Sequence, residues 1–470
     1  MRRIALPALV AAIPLLMLPL AAASESAEDR RVRLLAPTSD FKQAEPFESF
    51  QGGSGTNFDD LDRNAFGHPS AALTFEQEYG FHLGEAVFDR PWVVAPSSTI
   101  ASDGLGPLYN ARACAGCHIK DGRGHPPEAG DTNVVSMLFN LGDPSGAPDP
   151  VFGVQLQDQA IVGMEGEGRV QVRYDPVSFT YPDGTMIELR RPVYATDAPL
   201  GPGIALKPRI APPMIGLGLI EAIAPDDILS HADPYDADGD GISGRAHHLG
   251  DGAIGRFGWK ATTASLLEQS ALAFLNDMGL STSVFPIAHG DCTEPQVVCR
   301  TAIHGDEGGH PEIADDLLAL VTFYTGNLAV PARRDADDPA VLAGKELFYS
   351  VGCTSCHLPK FATRADAAPE QRNQLIWPYS DFLLHDLGPG LADPVPTAGA
   401  DGAEWRTQPL WGIGLTEAVN GHTFFLHDGR ARSLEEAILW HGGEAEAARD
   451  AFANLDANAR AKIIRFLESL

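Results

Sequence analysis

The chain has 470 residues, long for one hydrophobic core, and its length alone suggests about two or three domains. With 44% apolar and 21% charged residues it can bury a real core, which excludes wholesale disorder. Its 34 Lys and Arg face 63 Asp and Glu, a formal charge of −29, so nucleic acid and anionic membrane are excluded as main partners because their phosphates would repel it.

In chain order, Arg2 and Arg3 precede a continuous apolar stretch from Ile4 to Ala23, closing in Ala21-Ala22-Ala23 before Ser24 and Glu25. This order reads as a secretory signal over residues 1–23, removed on export to the periplasm. An uncleaved membrane anchor is the competing reading, weakened by Pro7, Pro14 and Pro19, each of which removes a helix hydrogen bond. No later stretch is long and apolar enough to cross a bilayer, so no stable span is expected once the signal is gone.

Four of the six cysteines form Cys114-Ala-Gly-Cys117-His118 and Cys353-Thr-Ser-Cys356-His357, each the attachment signature of a c-type haem. Two thiols add across the haem vinyl groups, and one turn of chain carries the adjacent imidazole onto the iron as proximal ligand. A lone CxxC would leave a disulfide, a redox thiol pair or a zinc site open. Two copies, each followed at once by His in an exported chain, favour two covalently bound haem c groups. The flanks suggest a duplication. Leu108-Tyr109 and Leu347-Phe348 stand at equal distances before the motifs, and apolar helical segments at 316–328 and 459–470 close each unit. In a cytochrome c fold a first helix ends at CxxCH and a last helix packs across it. The fold expected is therefore mainly α, with two cytochrome c-like domains over residues 24–330 and 340–470. The charged, proline-flanked stretch 331–339 would be an exposed linker. Alternating segments such as Val170–Tyr174 and Phe179–Ile187 read as hairpins, making residues 125–205 or so a mostly β insertion in the first domain.

Further on, Asp236, Asp238 and Asp240 with Gly241 give the first half of a calcium loop, but its twelfth position is His247 rather than Glu. Bound calcium and a merely polar turn are equal readings. Cys292 and Cys299 are expected to pair as a disulfide in an oxidising compartment, with a catalytic thiol pair as the sharper alternative. For the first haem His125, Met137, Met164 and Tyr174 are all sixth-ligand candidates, and an open position fits equally.

The segments 209–223 (RIAPPMIGLGLIEAI), GRFGWKA, WPYSDFLLHDLGPGLAD, EWRTQPLWGIG and the closing HDGRA…LWHGGEA together resemble the di-haem oxidoreductase family, whose members carry thiol-oxidoreductase and peroxidase labels and which is related to the bacterial di-haem cytochrome c peroxidases. The resemblance spans nearly the whole mature chain. It implies that Trp259 relays electrons between the haems, that Gln269 orients the bound oxidant and that Asp277, where the peroxidases carry Glu, moves protons. It also places the sixth ligand of the second haem at His441, where the peroxidases typically carry Met; His385 and His427 compete for that role. A bis-His haem would sit at lower potential than a His/Met one. The implied function is a periplasmic peroxidase-like oxidoreductase. It would reduce hydrogen peroxide, or activate dioxygen, at the N-terminal haem with electrons passed through the C-terminal haem. The acidic excess points to a donor with a basic face, a small cytochrome c or copper protein. A non-catalytic electron-transfer cytochrome, and an oxygenase or amino-acid-modifying enzyme on the same plan, are the alternatives.

Overall fold

Two helix pairs carry the frame, and in each a glycine lets two backbones touch. The first pairs Phe75–Phe88 with Asp315–Gly326. Thr74 starts the first of these through a capping box, accepting from the Gln77 N–H while the Gln77 side chain accepts from Thr74 N. A Cβ on Gly84 would lie 2.3 Å from the Leu320 carbonyl oxygen, so only glycine permits this crossing. Phe81, Val87 and Phe88 bury there against Leu318, Val321 and Tyr324. The second pairs Pro339–Ser350, capped by the Asp338 carboxylate, with Ala457–Ser469. A Cβ on Gly344 would stand 2.0 Å from Lys462 O, and Val341 and Phe348 pack on Ile463 and Phe466.

The computed structural model describes residues 27–130, 136–306, 309–397 and 399–470, so the expected export signal at 1–23 lies outside the described residues. Ala27–Leu35 is a helix within a unit of its own, Met1–Ala36; the remainder, Pro37–Leu470, is the second unit. No helix among the described residues is long and apolar enough to cross a membrane.

The mainly α expectation does not hold. The chain is 29% helical and 16% strand, and its strands form small two-stranded antiparallel sheets. The flanks that match in sequence also differ in structure: Leu347 and Phe348 lie in a helix, whereas Leu108–Tyr109 is a short strand paired with Gln159–Ala160. Proline and glycine are the physical reason, since they stop helices early and leave long loops to wrap the cores.

Strands Met137–Gly142 and Ala205–Ile210 pair antiparallel, and Val170–Thr180 pairs with Met186–Thr196 as a long hairpin. This hairpin reaches the second helix pair. Tyr181 and Leu189 are buried in that core, Tyr181 donates its hydroxyl to Glu435 at 2.7 Å, and the Arg460 guanidinium covers its ring at 3.8 Å. Under the same helix pair lies a buried ion cluster. Lys345 Nζ stands 2.8 Å from Glu45 and 2.7 Å from Glu48, Lys360 contacts Glu45 at 2.6 Å, and Arg333 pairs with Glu48. Burial raises the Glu48 carboxyl, but Arg333 and Lys345 outweigh it and hold the group below its ordinary range. Within the stretch expected as an exposed linker, Pro331, Ala332 and Arg333 are buried, and exposure begins near Asp335.

Alanine at either crossing glycine gains about 0.5–1 kcal/mol of helix propensity. The forced contact with a backbone carbonyl outweighs that, because overpacking a close helix contact costs about 1–3 kcal/mol. Gly84→Ala and Gly344→Ala are therefore each expected to lower the thermal midpoint in calorimetry, against the sign that propensity alone dictates.

Candidate functional site

Each CxxCH segment folds into a tight 3₁₀ turn, Cys114–Gly116 and Cys353–Ser355, closed by the N–H of His118 on Cys114 O at 3.0 Å and of His357 on Cys353 O at 2.9 Å. The turn brings both sulfurs and the imidazole to one side, and each set lines a cavity. The N-terminal cavity is about 290 Å³ and the C-terminal one about 400 Å³. Burial, with a smaller contribution from Asp277, pushes the Cys114 thiol up to about 12; burial and then Cys356 push Cys353 up to about 12. Neither is an activated thiolate of the kind a redox thiol pair needs.

The histidines are aimed by their backs. His118 Nδ1 is 2.9 Å from Pro212 O, and His357 Nδ1 is 2.8 Å from Tyr379 O. A carbonyl only accepts, so each Nδ1 carries the proton and each Nε2 keeps its lone pair for the cavity. Burial depresses both imidazoles to about 4, which keeps them neutral. His441 repeats the device at the end of helix Leu434–Trp440: its Nδ1 donates to Ala437 O at 2.7 Å, and the ring lines the same cavity as His357.

The other histidines separate from this set. His385 is held at both nitrogens, 2.7 Å from Asp381 and 2.7 Å from Glu444, with Cys356 Sγ at 3.6 Å. Burial opposes its charge, but Asp381 above all keeps it an imidazolium, well above its usual range. It has no lone pair to give a metal. His427 stacks on Trp405, centroids 3.8 Å apart, and meets Trp259 edge-on at 6.3 Å.

Trp259 lines both cavities, as do Arg123, Arg406 and Gln408. Its indole N–H donates to Ile210 O at 2.9 Å. Helix Leu266–Met278, capped by Ser265 and ended by Gly279 at φ +67°, forms a wall of the N-terminal cavity only. Gln269 and Asp277 are two turns apart on it and both line that cavity. Gln269 Oε1 accepts from Thr263 Oγ1 at 2.8 Å. Burial raises the Asp277 carboxyl to about 6, while a 2.9 Å hydrogen bond from Gln155 Nε2 pulls it back.

None of His125, Met137, Met164 and Tyr174 lines the N-terminal cavity. His125 Nδ1 donates to Pro126 O, Met137 is buried opposite Ile210, Met164 packs on the cystine, and Tyr174 donates to Pro127 O beneath the Arg190 guanidinium. Cys292 and Cys299 are joined by a disulfide. In the acidic loop Asp236 and Asp238 converge with Asp233, not with Asp240, whose carboxylate instead accepts from Ile242 N. His247, at the twelfth position, is buried with Nδ1 on Lys260 O at 2.7 Å. Gln155 and Arg123 carry no sequence signal that singles them out, and Arg406 is marked only as one position within EWRTQPLWGIG.

The residues fit a pair of haems. Both cavities are mostly apolar, both present two sulfurs and a neutral imidazole Nε2, and at their shared wall burial lowers Arg123 and Arg406 to about 10. Neither has a carboxylate in ion-pair contact among the described residues, and Arg406 Nη1 is buried with no hydrogen-bond partner. Buried cations of this kind suit the carboxylate edge of a porphyrin.

Two cavities, each lined by a CxxCH segment, thus share one wall at Trp259, Arg123, Arg406 and Gln408. A family profile described as "di-haem oxidoreductase, putative peroxidase" matches residues 48–141 and 150–470, and the chain belongs to that family. No curated protein matches it significantly.

Replacing His385 by Ala leaves the Asp381 carboxylate buried without its cation, a loss of about 3–5 kcal/mol by analogy with broken buried pairs, and takes the same partner from the half-buried Glu444. The expected result is a lower melting temperature with an unaltered axial-ligand signature in the visible and near-infrared spectrum. A changed ligand band would make His385 a ligand after all.

Proposed function

We propose that this chain is a periplasmic, peroxidase-like di-haem c enzyme that reduces hydrogen peroxide at its N-terminal centre. The observation that carries the reading is an asymmetry. The C-terminal cavity is lined by His441 as well as His357, each with Nδ1 bonded to a carbonyl, and its Glu444 carboxylate is tied to His385; among the described residues the N-terminal cavity has His118 as its one histidine and is lined instead by the carboxyl of Asp277 and the amide of Gln269. One centre is thus equipped to hold its electrons under permanent ligation, the other to handle a proton beside a small oxidant.

Haem, when bound, supplies the redox chemistry; converting peroxide to two waters consumes two electrons and two protons. Cys114, Cys117 and His118 hold the first group, and Cys353, Cys356, His357 and His441 the second. Asp277 accepts a proton from one peroxide oxygen and returns it to the other, with Gln269 orienting the oxidant. Trp259 gives electrons a path between the two cavities. The charge of −29 supports a donor with a basic face, a small cytochrome c or copper protein. The export signal supports the periplasm.

Low-temperature EPR of oxidised and half-reduced protein tests the asymmetry. One centre is expected to be low-spin throughout and the other to change when peroxide is added. Two low-spin centres indifferent to peroxide would mean an electron carrier. Because Asp277 must be ionised to take a proton, and burial raises it to about 6, turnover is expected to fall as pH drops below about 6. Asp277→Asn should lower kcat/KM by roughly 10²–10⁴-fold and remove that limb; undiminished turnover would refute the acid–base role.

A further inference from the structure

The N-terminal cavity owes part of its wall to the inserted segment, and the contact is specific. Gln155 is 4% exposed, and its Nε2 lies 2.9 Å from Asp277 Oδ1, 2.9 Å from Asn110 Oδ1 and 3.3 Å from Asn276 O. An amide nitrogen only donates, so Gln155 stabilises the ionised carboxylate over the acid. Among the described residues no other group donates a hydrogen bond to the Asp277 side chain.

Gln155 is itself held from behind. The Asp291 carboxylate, next to the Cys292–Cys299 disulfide, accepts from Val154 N at 2.7 Å and from Gln155 N at 3.1 Å. Gly153, at φ +76°, makes room: a Cβ there would meet Asp291 Oδ2 at 2.4 Å. Two further links pin the same strip. Thr293 Oγ1 donates to Val151 O, and Gln296 donates to Glu167, which accepts from Gln157 N at 2.7 Å.

We infer that Gln155 is the positioning residue for Asp277, and that the disulfide-closed loop keeps it in place through Asp291. This rests on the peroxidase reading for its catalytic meaning, though the contact stands apart from it. The groups facing Asp277 are few: Cys114 and Cys117, uncharged as thioethers; Asp158, beyond Asn110; and, on the cavity lining, Arg123, Arg209, Lys260 and Arg406. Removing the amide donor therefore destabilises the carboxylate with no nearby group placed to replace it.

The test uses the holoenzyme with Gln155→Leu and Asp291→Ala, checked for fold by circular dichroism. Infrared difference spectra against pH follow the protonated carboxyl band that Asp277→Asn deletes, a readout independent of turnover. In Gln155→Leu that band is expected to titrate about one pH unit higher, and the acid limb of peroxide turnover to move with it. Asp291→Ala is expected to shift both in the same direction by less. An unmoved band in folded Gln155→Leu overturns the inference. A band that moves in Gln155→Leu but not in Asp291→Ala overturns the part played by the loop. Should the band move while turnover ignores Asp277→Asn, the positioning contact survives and the peroxidase role of Asp277 falls.

Discussion

The backbone of one residue, Ile210, ties the functional region together. Its carbonyl accepts the Trp259 indole N–H, and its own N–H donates to the carbonyl of His427 at 2.8 Å. Ile210 ends the strand paired with Met137–Gly142, so this backbone is already fixed on its other edge. A sheet edge, the turn that carries Trp259 and the segment that carries His427 therefore meet at one residue whose backbone the strand pairing holds. An indole placed by a side chain alone would drift with its rotamer; placed by a strand, it keeps its distance to both cavities.

Around that hub the rigid and the wrapped parts divide the work. The helix pairs crossing at Gly84 and Gly344 set the distances between backbones, and the ion cluster of Glu45, Glu48, Arg333, Lys345 and Lys360 fastens an early segment beneath the later pair. Buried ions of this density add little net stability over apolar packing, yet they penalise every arrangement that separates them. The neutral histidines follow the opposite strategy. Each surrenders one nitrogen to a backbone carbonyl, which fixes its tautomer without any charged neighbour at Nδ1.

What could be read in the chain was whatever chemistry demands contiguous residues. A CxxCH turn needs two sulfurs and an imidazole on one short arc, so its spacing is visible, and the closing helices at 316–328 and 459–470 lie within a few residues of Asp315–Gly326 and Ala457–Ser469. The Cys292–Cys299 pairing was legible for the same reason. The fold class was not, because loop length set by proline and glycine leaves no periodic pattern to contradict a helical reading. Groups defined by long-range contact were equally silent. Gln155 meets Asp277 across a hundred or more intervening residues, and Arg406 becomes notable only once Nη1 is seen to lack a partner. His385 shows the converse: a histidine beside a haem motif reads as a ligand until both nitrogens are found against carboxylates.

The inserted segment touches both centres. Near its middle Gln155 rests on Asp277; farther along, the tip of its hairpin carries Tyr181 into the core of the second helix pair and onto Glu435. Two halves with similar attachment motifs are in this way not interchangeable parts. A change of length in the hairpin would be transmitted to the centre it does not belong to by sequence, and a chain cut at the boundary the motifs suggest would leave the hairpin whole but strip it from the core that buries Tyr181, rather than separate two modules.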